Sequence, residues 1–573
     1  MFSQCFSLAF AYLCAEIKSS KIMRTSRISI CFFAMIICSI AGSLYAQTRN
    51  NEDNYFEINK AIETFGSVFK ALNSNYVDEL NAGELTKTAI DAMLLKLDPY
   101  TNFYPESDME NVKLQLLGQY GGIGALVHYK NKQTIISEPY ENLPAQKAGL
   151  MAGDVILKIN GESCEGKTSD QVSEKLRGQA GTDLEISIDR NGKRIDKKLK
   201  REEIQLPNVS YSGMLSDKTG YIKLDEFTKN AAKNVLEACR QLKAKGAEAL
   251  VLDLRGNGGG LLNEAVDIVN IFVEKGQIVV SKKAKDIAKS NTFRTTQKAF
   301  APDIPLIVLI DASSASASEI VAGSLQDLDR AVIMGERSFG KGLVQTVVPL
   351  VYNAQMKVTE SKYYIPSGRC IQAIDYSHRD EYGRATKIPD SLKTAFKTKN
   401  GRTVYAGSGI EPDVFIEPEY ISNIAISLIS KYLYFDYATE FVRKHPSIAP
   451  AGEFEITDEI YEDFISFLKD KDYSYTTASE KSMETLLSVA EREHVNAATM
   501  EEIKRIKNEL AEDKKNDIYK FKNEIKTLLL GEIVSRYYFQ KGRVEALLKH
   551  DNELKKAIEL LNNETEYKKI LSK

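Results

Sequence analysis

Between residues 311 and 345 the sequence places a hydroxyl, an amine and the small residues that let a substrate approach both. The run Asp311-Ala-Ser-Ser-Ala-Ser-Ala-Ser-Glu319 follows the apolar stretch Leu306–Asp311 and leads into one bearing Ile320, Val321, Leu325 and Leu328. Read as strand, tight turn and helix, it leaves backbone N–H groups and the Ser316 hydroxyl open at a helix N-terminus, whose positive end favours a developing oxyanion. Serines are also ordinary N-caps, so this turn alone establishes no chemistry. A hydroxyl attacks only once a base takes its proton. Histidine is the usual base, but His128, His378, His445, His494 and His550 are scattered, none near the Ser316 turn in sequence. A lysine serves if burial lowers its pKa toward neutrality. Lys341 is the candidate: in Gly335-Glu-Arg-Ser-Phe-Gly-Lys-Gly-Leu-Val-Gln345 it is flanked by glycines and followed at once by an apolar strand. Gln345, four residues on, falls on the same face of an extended strand and is expected to orient the amine.

The same letters support a rival. Gly335 to Lys341 spells GxxxxGK, the start of a phosphate-binding loop, which needs Ser or Thr next and a helix beyond. Gly342 and a strand-like segment follow instead. A third piece, Val251-Leu-Asp-Leu-Arg-Gly-Asn-Gly-Gly-Gly260, is a strand ending in a glycine loop whose bare N–H groups suit either an oxyanion or close chain packing.

The elements that must position these groups alternate. Gly220–Leu224, Ala249–Leu254, Leu306–Asp311, Ala331–Met334, Leu343–Leu350 and Met356–Ile365 read as strands; Ala231–Lys245, Leu261–Val273 and Ser316–Leu328 read as helices. Strand and helix in turn predict an α/β layered core. Upstream, about Tyr55 to Leu117 carries helical periodicity, with Ile58, Ile62, Phe65, Phe69 and Leu72 on one stripe and a break at Asp98-Pro99. From Gly118 to near Pro207 short β-type runs are separated by turn signals at Asn160-Gly161 and Asn191-Gly192. Beyond Tyr420 mixed Lys/Glu helices run to Lys573, too polar for one compact core although Ile426, Leu428, Leu433 and Leu528–Leu530 need burial. They read as a dimerisation arm or as a wall around the cleft.

Taken in order, Ser314-Ala-Ser-Ala-Ser-Glu319, Gln326-Asp327, the Gly335–Gln345 run, the Asp253–Gly260 loop, Tyr364-Ile-Pro-Ser-Gly-Arg-Cys-Ile-Gln372 and Gly409-Ile-Glu-Pro-Asp413 resemble the C-terminal processing peptidases, the S41 family of tail-specific proteases. Cys370 and Ala406-Gly-Ser-Gly409 depart from the family pattern away from Ser316 and Lys341. The resemblance spans about Tyr55 to Pro418. It implies Ser316 as nucleophile, Lys341 as general base and Gln345 as its positioner. It implies oxyanion N–H groups from Ala317 and from Gly260 or Gly259, and support from Glu319 and Asp327. Tyr120-Gly-Gly-Ile-Gly124 and Pro144–Gly161 are similar to a PDZ domain, so Gly122, Ile123 and Gly124 are expected to take a terminal carboxylate while the peptide adds beside Ala125–His128.

The expected organisation is thus α/β multidomain: a leader at 1–46, N-terminal helices at 47–117, a PDZ-like β domain at 118–206, an α/β layered peptidase core of crotonase/ClpP-like type at 207–420 and a C-terminal helical region at 421–573. The expected partners are proteins or peptides with free C-termini, with a homodimer left open; the competing function is a non-catalytic PDZ scaffold. No cofactor or metal is implied. A net charge of −3 without basic clustering gives nucleic acid little reason to bind. Arg24, Arg27 and the apolar stretch Ile28–Tyr45 before Ala46 form an export signal starting at Met23, so a periplasmic location is expected, with membrane association through an uncleaved leader as the alternative. Of seven cysteines four lie in that leader; Cys164, Cys239 and Cys370 have no disulfide or zinc spacing and read as small buried or semi-buried side chains.

Overall fold

The computed structural model describes residues 55–106 and 119–572, so the leader with its four cysteines, the 47–54 and 107–117 parts of the expected helical segment and the first residue of the expected β domain, Gly118, lie outside the described residues. The chain divides after Ala92. The first unit carries a helix over 55–75 and most of the helix Ala82–Leu94. The apolar stripe of the first helix forms as expected but stays in solvent, Ile62 at 64 % exposure and Phe65 at 53 %.

In the second unit, Met93 onward, the segment after Leu94 turns at Asp98 and becomes a strand, Asn102–Tyr104, where helical periodicity alone had suggested more helix. The Asp98 carboxylate accepts from the N–H groups of Tyr100 and Thr101 and closes the turn, so a local side-chain bond overrides the periodicity. The PDZ-like β domain is a six-stranded sheet whose edge strand, Ala125–Lys130, among the described residues pairs only with Gln133–Pro139. Among the described residues no strand pairs with its other edge, and the helix Ser169–Leu176 packs against the strand. Ile136, Ile156, Leu184, Ile186 and Val172 are buried in its core.

The α/β core holds a six-stranded sheet in the order Val209–Met214, Thr219–Leu224, Ala249–Asp253, Leu306–Ile310, Val332–Gly335, Val414–Phe415, parallel from the second strand onward. The run Leu306-Ile-Val-Leu-Ile310 is apolar throughout because both its faces are covered. Leu306, Val308 and Ile310 meet the helices Ala231–Ala244, Leu262–Phe272 and Ala317–Asp327; Ile307 and Leu309 meet Leu554, Ala557 and Tyr567 from the chain's C-terminal end. A second, antiparallel sheet carries Leu343–Pro349 and Gln355–Tyr364, with Asn102–Tyr104 added beside the latter.

The C-terminal helices do build a compact core, contrary to the expectation from their composition. Leu428, Leu433, Tyr437, Tyr461, Phe464, Leu529, Leu530 and Ile533 are buried together. The charge is segregated instead: the pair Ala478–Arg492 and Ala497–Lys515 buries only Ala490 and Ile503. Ile426, expected inside, is half exposed. This region also grips the PDZ-like domain. His128 Nδ1 meets Ser137 Oγ at 2.7 Å, its ring stacks on Tyr432 at 4.2 Å, and burial lowers its pKa to about 4. Lys130 pairs with Asp436 at 2.6 Å and Arg543 with Glu138 at 3.0 Å.

Candidate active site

Three adjacent parallel strands each release one piece of the site at the same end. In register, Asp253 lies beside Leu309 and Ile310 beside Gly335. The glycine loop after Asp253, the Ser316 turn after Ile310 and the Lys341 loop after Gly335 therefore emerge together, where parallel α/β sheets place their ligand crevices.

A single carboxylate fastens two of these pieces. Glu319, fully buried on the first turn of the helix Ala317–Asp327, accepts from Ser316 N at 2.7 Å and Lys341 N at 2.9 Å on Oε2, and from Gly340 N at 2.7 Å and Ser338 Oγ at 2.5 Å on Oε1. Burial pushes its pKa up to about 7 against those bonds. The Tyr363 hydroxyl lies within hydrogen-bond reach of the carbonyls of both Ser316 (3.1 Å) and Lys341 (2.7 Å). Ser316 itself sits at φ 57°, ψ −110°, a strained setting of the kind met where a turn must present a side chain outward.

Lys341 is largely buried, and that burial lowers its pKa to about 8; Lys357 pushes the same way, while Glu319 and Asp98 oppose. Its Nζ lies 4.2 Å from the centre of the Tyr100 ring, and among the described residues it makes no hydrogen bond to Ser316 Oγ. Gln345 does not reach it either. Its Nε2 donates to Thr359 Oγ1 at 3.1 Å. Lys341 stands in the loop ahead of the strand, which begins only at Leu343, so the expected face-sharing does not extend to it.

The remaining expected residues divide. Among the described residues Ala317 N and Gly260 N donate to no backbone acceptor, whereas Gly259 N is taken by Asn257 Oδ1 at 2.9 Å. Gly259 has φ +102°, and a Cβ there would stand 2.8 Å from the Ser316 Cβ and 2.9 Å from Ala317 N, so only glycine lets the loop lie against the turn. Asp327 is at the far end of the Ser316 helix, roughly 16 Å along its axis, and pairs with buried Arg369 at 2.9 Å. Gly122 closes the strand Gln119–Gly122, and Ile123 and Gly124 lead from it into the open-edged strand. Gly124 has φ +69° with Leu143 packed where a Cβ would go. Cys164 and Cys239 are buried and Cys370 is partly buried, all three unpaired.

Tyr100, Lys357, Tyr363 and Thr359 were not singled out from sequence. Asp98-Pro99 marked the turn that delivers Tyr100, but nothing local says which ring a turn presents. Among the described residues no His, Cys, Asp and Glu group has metal-holding geometry, and no helix is long and apolar enough to cross a membrane.

An α/β core whose strand ends gather a serine turn, a glycine loop and a buried lysine, joined to a PDZ-like domain, defines a serine-type peptidase. Residues 218–377 match peptidase family S41, residues 135–190 a PDZ domain, and residues 424–561 the probable PDZ-protease C-terminal helical domain. A carboxy-terminal-processing protease of Bartonella bacilliformis is 37% identical over 355 residues, 60% of this chain and 80% of the relative. A probable CtpA-like serine protease of Staphylococcus aureus is 32% identical over 402 residues, 69% of this chain and 77% of the relative. The solved photosystem II D1 C-terminal processing protease is 27% identical, with TM-score 0.34, covering 62% of this chain and 93% of that one. The chain belongs to the C-terminal processing peptidases of family S41.

Proposed function

We propose that the chain is an endopeptidase that cleaves exported proteins near their C-termini with a Ser316–Lys341 dyad. The observation that carries this reading is the Glu319 carboxylate, which takes the N–H groups of Ser316 and Lys341 on one oxygen and so holds nucleophile and base on a common mount. Ser316 Oγ attacks the scissile carbonyl as its proton passes to Lys341 Nζ, whose lowered pKa makes the free amine accessible near neutrality. The N–H groups of Ala317 and Gly260 receive the oxyanion, Gly260 being favoured over Gly259 because its N–H is not already spent. The lysine ammonium then protonates the leaving amine, and a water activated by the same lysine releases the acyl group from Ser316. Gln345 acts on this geometry through Thr359 rather than directly.

Substrate tails are held by the PDZ-like domain. The tail carboxylate takes N–H groups of Gly122, Ile123 and Gly124, and the chain adds as a strand along the open edge of Ala125–Lys130. The leader at 1–46 supports export, with the periplasm as the site of action.

The test is cleavage of an unfolded model protein with an apolar C-terminal tail by wild type, Ser316→Ala and Lys341→Ala. Each variant should lose at least about 10²–10⁴-fold, and the double variant little more, since the pair acts as a unit. Full activity in Lys341→Ala refutes the dyad. Amidating the substrate's C-terminus should raise KM without lowering kcat; an unchanged KM refutes tail capture.

A further inference from the structure

A ring the peptidase signature does not contain lies against the lysine. Tyr100 belongs to a segment that is fixed from several sides. Asp98 Oδ1 accepts from Tyr100 N at 2.8 Å and Thr101 N at 2.9 Å. Thr101 Oγ1 accepts from Thr359 N at 3.2 Å, and Asn102–Tyr104 then pairs in register with Gln355–Lys357. Tyr376 stands edge-on to the Tyr100 ring at 5.9 Å, with the two hydroxyls 3.3 Å apart. The face left over carries Lys341 Nζ, 4.2 Å from its centre. A ring clamped by a turn, an added strand and a second aromatic is a built surface, and its face attracts a cation.

We propose that Tyr100 is a positioning residue for the reaction, its ring face being the seat on which the Lys341 ammonium rests between turnovers. The inference rests on Lys341 as the base. The ring does two opposed things to that amine: its π face favours the ammonium, and its bulk keeps water out, which favours the free amine. The other charged groups that face Lys341 are Glu319 from the serine helix, Lys357 from the neighbouring strand and Asp98 from the Tyr100 segment itself. None of them is altered by changing the ring.

The opposed effects make the seat separable from a merely structural role. In the full-length protein, the midpoint of the rising limb of kcat/KM against pH is measured for wild type and Tyr100 variants, each checked by thermal unfolding. Tyr100→Leu keeps the dry wall but removes the π face, so its midpoint should fall by about half to one and a half pH units. Tyr100→Ala admits water, so its midpoint should climb toward the ordinary lysine value of 10.5. Tyr100→Phe keeps the face and should keep the wild-type midpoint although it loses the Tyr376 contact. Tyr100→Met, also bulky and without a π face, replaces Leu should that variant not fold. Equal loss of activity at every pH with no midpoint moved overturns the inference. An active Lys341→Ala overturns the base assignment and this inference with it; an inactive one beside unmoved midpoints overturns the inference alone.

Discussion

Glu319→Gln is the substitution that bears most on how the site is assembled. The carboxylate is fully buried and accepts four hydrogen bonds, two on each oxygen. Glutamine fills the same space, but one of its two terminal groups donates. With its amide nitrogen toward Ser338 and Gly340, the Ser338 hydroxyl can turn to accept and only the Gly340 N–H loses its acceptor; turned the other way, the N–H groups of Ser316 and Lys341 both do. Bonds to a charged acceptor are worth about 1.5–3 kcal/mol each, so the loss is about 1.5–3 kcal/mol in the first arrangement and about 3–6 kcal/mol in the second, a large share of a domain's stability. The effect is not confined to stability: the first arrangement loosens the Lys341 loop at Gly340, and the second frees the Ser316 turn and Lys341 together. A displacement of about 1 Å at that point costs about 10²-fold in rate. Urea unfolding followed by circular dichroism gives the first number; kcat with KM, measured on a short peptide, gives the second. The expected result is a stability drop in that range, with kcat reduced and KM little changed. A Glu319→Gln protein within about 1 kcal/mol of wild type and with undiminished kcat would refute the view that this carboxylate holds the two halves together.

Three further outcomes follow from the same geometry. With Lys341 as the proposed base, wild-type kcat/KM should rise with pH through about 8, where burial holds its pKa; a pH-rate profile flat from 6 to about 9 would contradict this. Gly259→Ala places a methyl under 3 Å from the Ser316 turn at a backbone setting of φ +102°, so peptidase activity should be lost while tail binding, followed by fluorescence anisotropy of a labelled peptide, persists. Tyr567→Ala removes a buried ring whose hydroxyl both accepts from Leu306 N and donates to Leu306 O at 2.9 and 3.0 Å, and should cost about 3–5 kcal/mol in denaturant unfolding.

The sequence made the α/β core legible because its strands are continuous apolar runs bounded by glycine or small polar residues, as at Leu306–Ile310 before the Ser316 turn. Ser316 and Lys341 stood out for the same reason: the residues around them are too small to be there for packing. What could not be read depends on distance in the chain. Tyr100 reaches Lys341 across more than two hundred residues, by way of a three-residue strand too short to signal itself. Gln345 turns to Thr359, and Lys341 lies in the loop ahead of a strand that begins only at Leu343, a boundary that alternation does not mark. The C-terminal helices looked too polar because their average mixes a buried set, such as Tyr461 and Phe464, with the exposed pair of helices at 478–515. His128 gave no hint of its aromatic partners, Tyr432 and Phe435, which lie three hundred residues away.

That last contact limits how freely the protein can be recombined. The strand Ala125–Lys130 has its outer face glued to the helices through His128 and Lys130. The PDZ-like domain is therefore not a cassette. A chimera that exchanges residues 119–205 for another PDZ domain would leave Tyr432, Phe435 and Asp436 facing a foreign surface. Specificity in this architecture has to be redesigned, or to have diverged, with the strand and the helical residues changing together.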